Sequence, residues 1–327
     1  MKACVLSEVG DYTKLQVKDV PDITKIGDDE ILIQHSAIGV NFDDVMYRRG
    51  DYVLPEEYGK NPILGFEGVG NIEMLGKNVK GFKVGDQVGY AFCTLGAYAQ
   101  KNAVDYRYCF SIPNEITPEI AAASLRKGLT AYYLIYKTCY PHKGDFVLIH
   151  SVAGGVGHLL AKLAKYAGLK VIGTVCDESK VSMALATGAD FVINRAEEDF
   201  LKKTIEITEG KGVKVVYDGV GKALFDKSLD CLQTFGIYVS YGYASGKLDP
   251  IDVFRLRERN LFFTTPTLEI YNSNRNELIL SSASLLDLVK KGVMIPSILR
   301  YGIDGIPQAH ADLESGKTMG SLVVNVY

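Results

Sequence analysis

Three closely spaced glycines in the middle of the chain are the first residues whose spacing indicates chemistry. The segment 146–168 passes from a continuous apolar run through Gly154, Gly155 and Gly157 into apolar residues at helical spacing. A turn of this kind brings backbone N–H groups at the positive end of a helix close to a phosphate. We therefore predict a dinucleotide-binding loop. Because Val152 stands at the first position of G-x-G-x-x-G, an ordinary tight turn between a strand and a helix is the alternative.

Length and composition limit the classes of protein to which the chain can belong. Its 327 residues suffice for two domains, and 47% hydrophobic with 23% charged residues is typical of a folded globular protein. A formal net charge of −3 gives no electrostatic reason to expect nucleic acid as a partner. We expect neither a signal peptide nor membrane insertion, because no apolar stretch is long enough. Six scattered cysteines without a C-x-x-C pair indicate reduced thiols in a cytoplasmic protein.

Strand patterns dominate the first third of the chain and predict an antiparallel, partly open β structure. Turn sequences such as Gly27-Asp28-Asp29 and Gly85-Asp86 separate the apolar or alternating segments. The predicted strands are 2–6, 31–40, 68–75, 87–92 and 96–103. A helical pattern then runs from Pro118 to about Lys137 and leads into the glycine loop.

Strand and helix patterns alternate after the glycine loop, which predicts a doubly wound parallel sheet. The predicted strands are 170–175, 191–194, 213–217 and 236–241, and the predicted helices lie near 178–186, 199–209 and 222–233. We assign a further helix at 276–291 and a strand at 321–326 to the first domain. The expected domains are therefore 1–125 together with 266–327, and an inserted dinucleotide-binding domain at 126–265.

Four sequence blocks surround the loop in a fixed order: VNFDD at 40–44, GFEGVG at 65–70, KGLTAYY at 127–133 and VYDGVG at 216–221. Together with AGGVG in the loop and SLDCLQ at 228–233, they resemble the quinone oxidoreductases, the zeta-crystallin-like branch of the medium-chain dehydrogenase/reductases. The resemblance extends from Met1 to the closing GSLVV at 320–324. It implies a GroES-like, partly open β-barrel catalytic domain, a Rossmann domain, NADPH as reductant and small-molecule quinones as acceptors.

The same resemblance predicts that the site holds no metal. Alcohol dehydrogenase relatives bind catalytic zinc through a cysteine in the first block and a histidine before the glutamate of the second. Asn41 and Phe66 occupy those places here, and the four-cysteine structural lobe is missing. Glu67 remains, and we interpret it as a carboxylate that accepts backbone hydrogen bonds in a turn. Reduction then depends on positioned hydrogen-bond donors instead of a Lewis acid.

On the substrate side, the resemblance assigns the family's asparagine and one of its tyrosines to Asn41 and Tyr52. Both face the nicotinamide and the quinone in that family, so we predict them as the catalytic residues. A second family tyrosine falls at Met46, and the adjacent Tyr47 is not given its role, because one residue along a helix turns a side chain by about 100°. Asn41 can donate and accept, which suits a carboxamide or a quinone carbonyl.

At the adenosine end, the sequence favours NADPH over NADH. Val175 stands where NAD-preferring relatives carry a ribose-binding acid, and Lys180 matches the family's 2′-phosphate lysine. Arg195 replaces the family's aromatic residue, and its guanidinium can pair with phosphate or stack on adenine. Asp177 and Glu178 depart from the pattern and are interpreted as acids at the start of a helix.

The resemblance implies further cofactor contacts, in addition to Asn41, Lys180 and Arg195. These are Thr130, Gly154, Gly155, Val156, Gly219, Ser240, Tyr241 and Thr265. His150, just before the loop, is interpreted as a histidine satisfied by hydrogen bonds at the end of a strand, with general-acid catalysis as the alternative. His35, in the middle of a strand, is expected to be structural.

The expected function is NADPH:quinone oxidoreduction, with hydride passing from the nicotinamide to a soluble quinone. An enone or alkenal double-bond reductase would use the same fold and cofactor. A non-catalytic, crystallin-like NADPH-binding protein is the alternative from another class. We also expect a homodimer, because Asn260 to Thr265 reads as an apolar strand at the end of the Rossmann sheet.

Overall fold

The computed structural model describes residues 1–92 and 94–326. Both ends of the chain build a mostly antiparallel sheet and a small two-stranded antiparallel sheet, and the middle of the chain builds a parallel sheet. The first unit comprises Met1–Leu129 and Asn272–Tyr327, and the second comprises Thr130–Tyr271. Within the described part of the chain, no helix has the length and apolarity needed to cross a bilayer.

The amino-terminal part of the first unit contains seven strands and two α-helices among the described residues, and the second helix continues into the second unit, which begins at Thr130. The strands are β1 (Lys2–Leu6), β2 (Leu15–Asp19), β3 (Glu30–Val40), β4 (Glu67–Leu75), β5 (Gln87–Tyr90), β6 (Lys101–Asp105) and β7 (Phe110–Ser111), and the helices are α1 (Phe42–Arg49) and α2 (Pro118–Tyr133). A π-helical turn, Leu134–Thr138, follows α2. Strand β3 is the longest and contributes Ile31, Ile33 and Ile38 to the core.

The second unit alternates strand and helix. Its strands are β8 (Phe146–Ile149), β9 (Lys170–Val175), β10 (Phe191–Asn194), β11 (Val213–Asp218), β12 (Leu232–Ser240) and β13 (Phe262–Thr264), and its helices are α3 (Gly155–Tyr166), α4 (Val181–Ala186), α5 (Phe200–Ile207), α6 (Phe225–Asp230) and α7 (Leu268–Tyr271). All neighbours are parallel, in the order β10-β9-β8-β11-β12-β13. The direction of winding therefore reverses between β8 and β11, and such a switch point is where open α/β sheets bind ligands.

The carboxyl-terminal elements complete the first unit. They are α8 (Arg275–Lys290), β14 (Ile298–Gly302), α9 (Ile306–Glu314) and β15 (Ser321–Asn325). The sheet runs β14-β15-β3-β4-β5-β7, with β6 also paired to β3. Leu322 and Val324 of β15 lie in the same core as the residues of β3, so the closing segment packs with the first unit.

Several predicted elements have different bounds in the structure. The strand expected at 96–103 lies at Lys101–Asp105, and the helix expected at 222–233 ends at Asp230, because buried Leu232 already begins β12. The sequence analysis identified neither β2 nor β14 nor α9. Only one of the five residues of β2 is buried, so the alternation that indicates a strand is absent.

Candidate functional site

The amino terminus of α1 positions the first of the predicted catalytic residues. Asn41 is the N-cap, and its backbone N–H donates to Asp44 Oδ2 at 2.8 Å, which satisfies a group that the helix leaves unpaired. Tyr98 Oη also donates to Asp44 Oδ2, at 2.8 Å. Burial raises the pKa of Asp44 to about 7. These hydrogen bonds fix the backbone of Asn41, and its side chain contacts Glu67 and Lys127.

Asn41, Glu67 and Lys127 form a buried polar triad, which we call the amide triad. Asn41 Nδ2 donates to Glu67 Oε2 at 2.9 Å, and Lys127 Nζ donates to Asn41 Oδ1 at 2.8 Å. Lys127 Nζ lies 3.7 Å from Glu67 Oε2 and donates to the Val40 carbonyl at 3.2 Å. Exposure is 6% for Asn41, 0% for Glu67 and 5% for Lys127. Burial lowers the pKa of Lys127, and the nearby Glu67 carboxylate opposes that shift.

Two features of the backbone hold the Glu67 carboxylate in place. Its Oε1 accepts the N–H of Arg126 at 2.7 Å. At Gly39, a Cβ would lie 2.0 Å from Glu67 Oε2, so only glycine leaves room for the carboxylate. The interpretation of Glu67 as an acceptor from the backbone is confirmed for the Arg126 N–H, but Glu67 begins strand β4 and does not lie in a turn. The other two members of the triad contact the same carboxylate.

Lys127 is the member of this site that sequence analysis missed. The only signal was a lysine within KGLTAYY, which begins two residues after the buried Leu125 on α2. Its partner Asn41 is 86 residues away in the sequence. No local pattern reports a contact of that separation.

Three aromatic side chains of the first unit, Tyr47, Tyr52 and Phe66, lie against one another. The Tyr47 ring is 5.1 Å from the Tyr52 ring and 5.0 Å from the Phe66 ring, centroid to centroid. The Arg126 guanidinium lies 5.7 Å from the Phe66 ring centroid, and its Nε donates to Asp43 Oδ2 at 3.1 Å. Tyr47 and Tyr52 therefore share one face, and a flat ring has aromatic surfaces there on which to stack. Met46 is buried, so the adjacent Tyr47, and not Met46, contributes to this aromatic face.

The arrangement around Glu67 opposes a divalent cation. Among the described residues, no three histidine, cysteine, aspartate or glutamate side chains are grouped as a metal site requires. Asn41 and Phe66 stand at the two family ligand positions, and the Lys127 ammonium is already beside the Glu67 carboxylate. A second cation next to that carboxylate would meet the ammonium's repulsion.

In the second unit, the glycine loop connects β8 to α3. Gly154 is the N-cap of α3, and the first backbone bond of the helix is His158 N–H to Gly154 C=O at 3.0 Å. The N–H groups of Gly155 and Val156 precede that bond, and the first turn carries no acidic residue. At Gly157, a Cβ would lie 2.3 Å from the Ser151 carbonyl oxygen, so this glycine permits the close packing of helix and loop. These features fit a diphosphate at the positive end of α3.

The remaining predicted cofactor residues lie at the carboxyl ends of the parallel strands. Each of the strands β9 to β13 is followed by at least one of them: Lys180 after β9, Arg195 after β10, Gly219 after β11, Ser240 and Tyr241 at the end of β12, and Thr265 after β13. Carboxyl ends of parallel strands share one edge of a sheet, so the fold brings these residues to the edge that carries the glycine loop. Thr130 lies on α2 and is 9% exposed.

Arg195 has an unsatisfied donor at this edge. Its Nε is buried and has no hydrogen-bond partner among the described residues, and burial lowers the pKa of the guanidinium. Such a group is expected to find an acceptor in a ligand. Asp177 caps the turn that contains Lys180 by accepting the Ser179 N–H at 2.8 Å, as its interpretation as a helix-initiating acid predicted. Glu178 Oε2 accepts from Asn194 Nδ2 at 3.3 Å.

The two histidines considered in the sequence are structural. His150 is fully buried, with its ring nitrogens 2.9 Å from Thr174 Oγ1 and 2.9 Å from Ser228 Oγ. His35 pairs with the Ala99 carbonyl at 2.7 Å and with Tyr90 Oη at 3.1 Å. Burial lowers the pKa of each to about 4, so both rings are neutral near pH 7.

Comparison with known proteins adds independent findings. Residues 27–138 match the alcohol dehydrogenase GroES-like domain, and residues 155–277 match the family described as zinc-binding dehydrogenase. The chain is 40% identical to quinone oxidoreductase 1 of Escherichia coli over 298 residues, 90% of each chain, and 39% identical to 2-haloacrylate reductase of a Burkholderia species over 304 residues, 91% of each. The crystal structure of Escherichia coli quinone oxidoreductase complexed with NADPH matches with a TM-score of 0.95 at 36% identity, over 100% of both chains. These similarities confirm the predicted fold class.

Proposed function

We propose that this chain, which belongs to the quinone oxidoreductase type of the medium-chain dehydrogenase/reductase superfamily, is an NADPH-dependent quinone reductase. The observation that carries the proposal is similarity over 90% or more of the chain to a curated quinone oxidoreductase and to a solved one. The fold supports it, because the glycine loop and the turn after β11 flank the switch point of the parallel sheet.

The cofactor fits the residues of the second unit. Gly154, Gly155 and Val156 would hold the diphosphate through backbone N–H groups, and the buried Arg195 Nε with Lys180 would hold the 2′-phosphate. When bound, NADPH supplies a hydride from its reduced nicotinamide ring. The chain's own contribution is to bind and orient both partners, with Asn41 and Tyr52 on the nicotinamide and quinone side.

A double-bond reductase is the second candidate, and the 39% identity to 2-haloacrylate reductase favours it. The two activities differ in the acceptor: a quinone takes the hydride into a conjugated ring system, and a haloacrylate takes it at a carbon of an alkene that is conjugated with a carboxylate. A steady-state screen of 1,4-naphthoquinone, an enone, an alkenal and 2-chloroacrylate with NADPH decides between them. We expect the highest kcat/KM with the quinone; a higher value for any alkene would assign the chain to the second candidate, and no turnover would favour the binding-protein alternative.

Asn41→Ala and Tyr52→Phe should each lower quinone turnover more than they weaken NADPH binding. Each change removes one hydrogen bond near the nicotinamide and acceptor, and such a bond contributes about 0.5–1.5 kcal/mol, or up to roughly tenfold in rate. Most of the dinucleotide's contacts lie elsewhere, so its dissociation constant should change less. Steady-state kinetics and fluorescence titration measure the two quantities, and unchanged rate and quinone KM in both variants would remove these residues from the site.

We also propose that the protein is a homodimer that pairs through the edge of its parallel sheet. Strand β13 ends that sheet, and Phe262 on it is 58% exposed. Phe262→Lys should convert a dimer to a monomer in light scattering at micromolar concentration. Val84→Lys, which changes an equally exposed apolar residue of the first unit, should leave the dimer intact. A monomeric unmodified protein would contradict this proposal.

A further inference from the structure

We propose that Lys127 is a positioning residue that fixes the amide of Asn41 as a hydrogen-bond acceptor for the carboxamide of the nicotinamide. This inference rests on the proposed function, because it assumes that Asn41 faces a bound nicotinamide cofactor. It extends that function by giving a positioning role to the buried Lys127. It also assigns the contact with the nicotinamide carboxamide to Asn41 and the contact with the quinone oxygen to Tyr52.

The orientation of the Asn41 amide follows from the chemistry of its two partners. Lysine is only a donor, and a carboxylate is only an acceptor. Lys127 Nζ therefore lies against the amide oxygen at 2.8 Å, and Glu67 Oε2 lies against the amide nitrogen at 2.9 Å. A flipped amide would place NH2 against the ammonium and oxygen against the carboxylate, so the triad permits one orientation.

The amide has four hydrogen-bonding positions, two lone pairs and two N–H groups. Lys127 uses one lone pair and Glu67 one N–H. The Asn41 Nδ2 also lies 3.5 Å from the Gly39 carbonyl oxygen, on the inner side of the site. The second lone pair of Oδ1 is then the position that remains for a ligand.

A group that offers only a lone pair discriminates between the two possible ligands. The nicotinamide carboxamide carries N–H donors, whereas a quinone carbonyl only accepts. The sequence predicted that Asn41 could serve either ligand through donation or acceptance. The amide triad narrows that prediction to acceptance from the carboxamide, and Tyr52 is left to donate to the quinone oxygen.

Burial explains why this role requires a lysine paired with a glutamate. Lys127 is 5% exposed and Glu67 is fully buried, so neither charge is solvated and each depends on the other. The ammonium is also held by the Val40 carbonyl at 3.2 Å. The Val40 carbonyl and the Glu67 carboxylate hold the Lys127 ammonium, and the ammonium in turn holds the Asn41 amide before the cofactor binds. No free energy is then needed to orient the amide during the reaction.

The test compares binding of NADP⁺ with binding of its 3-acetylpyridine analogue, in which an acetyl group replaces the carboxamide and removes the N–H donors. Isothermal titration gives both dissociation constants for the unmodified protein, Asn41→Ala, Lys127→Met and the double variant. We expect the unmodified protein to prefer NADP⁺ by at least about twofold, the usual effect of one neutral hydrogen bond. Each single variant should lose that preference, and the double variant should lose no more than either one.

Retention of the preference in Lys127→Met, or a further loss in the double variant, would overturn the inference while leaving the proposed function intact. Failure of the unmodified protein to bind either dinucleotide would instead contradict the proposed function, and the inference with it. If Lys127→Met does not fold, Lys127→Met combined with Glu67→Met removes the whole charge pair and avoids a lone buried carboxylate. That variant must also lose the preference, and keeping it would overturn the inference.

Discussion

Glu67→Ala should lower the free energy of unfolding by about 3–5 kcal/mol, because it removes one partner of a buried ion pair and leaves the other charge uncompensated. Lys127 would keep its bonds to Asn41 and Val40 but lose the carboxylate that lies 3.7 Å from its ammonium. The Arg126 N–H and Asn41 Nδ2 would lose their acceptor as well. Urea unfolding followed by fluorescence measures the change.

Glu73→Ala is the matched control, because Glu73 lies on the same strand and pairs with Lys101 at 2.9 Å while 42% exposed. An exposed pair of this kind contributes about 1 kcal/mol or less. Similar losses for the two variants would mean that the amide triad does not stabilise the fold as a buried pair.

The loss in Glu67→Ala should depend on pH in a defined direction. Burial lowers the pKa of Lys127, so the unfolded chain binds this proton more tightly than the folded one. Stability then rises with pH between the lowered pKa and the ordinary value of about 10.4. Without the Glu67 carboxylate the pKa of Lys127 falls further, so Glu67→Ala gains stability over a wider pH range than the unmodified protein. The deficit relative to the unmodified protein should therefore narrow as the pH is raised toward 10, and a deficit that widens over this range would contradict the assignment.

Arg195→Ala should weaken NADPH binding by about tenfold or more while leaving NADH binding nearly unchanged. A charge-assisted hydrogen bond to the 2′-phosphate contributes about 1.5–3 kcal/mol, and the Arg195 Nε is buried and without a partner in the described protein. Lys180→Ala should have a smaller effect in the same direction. Asp177 and Glu178 stand close by, so the total preference should be smaller than two ideal pairs would give.

Lys211→Ala supplies the control for charge alone. Lys211 is exposed and precedes β11, at the edge of the sheet opposite the glycine loop. Its removal should change neither cofactor's dissociation constant. Equal losses for NADPH and NADH in Arg195→Ala, or equal kcat/KM for the two cofactors in the unmodified protein, would remove Arg195 and Lys180 from the phosphate site.

The sequence predicted best what is local. The glycine loop, its strand and its helix occupy one continuous segment, so periodicity and glycine spacing were enough to place Gly154 and Gly155 at the start of α3. The parallel strands were found for the same reason, because strands buried on both faces read as continuous apolar runs. Asn41 was found through its motif.

What the sequence did not predict depends on contacts between distant segments. The pairing of Lys127 with Asn41 and Glu67 joins three motifs that no periodicity relates. Tyr47 was set aside on the angle between adjacent helix positions, yet its ring lies beside Tyr52, because Met46 turns into the core. Strand β14 escaped notice because it has no fully buried residue, and its pairing with β15 is what defines it.

The most direct test of the account is turnover by protein freed of metal. After dialysis against a chelator and elemental analysis for zinc, NADPH oxidation at 340 nm is followed with 1,4-naphthoquinone and compared with untreated protein. The account predicts negligible zinc in both samples, unchanged kcat/KM, and one NADPH consumed per quinone reduced. Close to one zinc per chain, lost together with activity, would contradict the metal-free mechanism, and no quinone-dependent oxidation of NADPH in either sample would contradict the function itself.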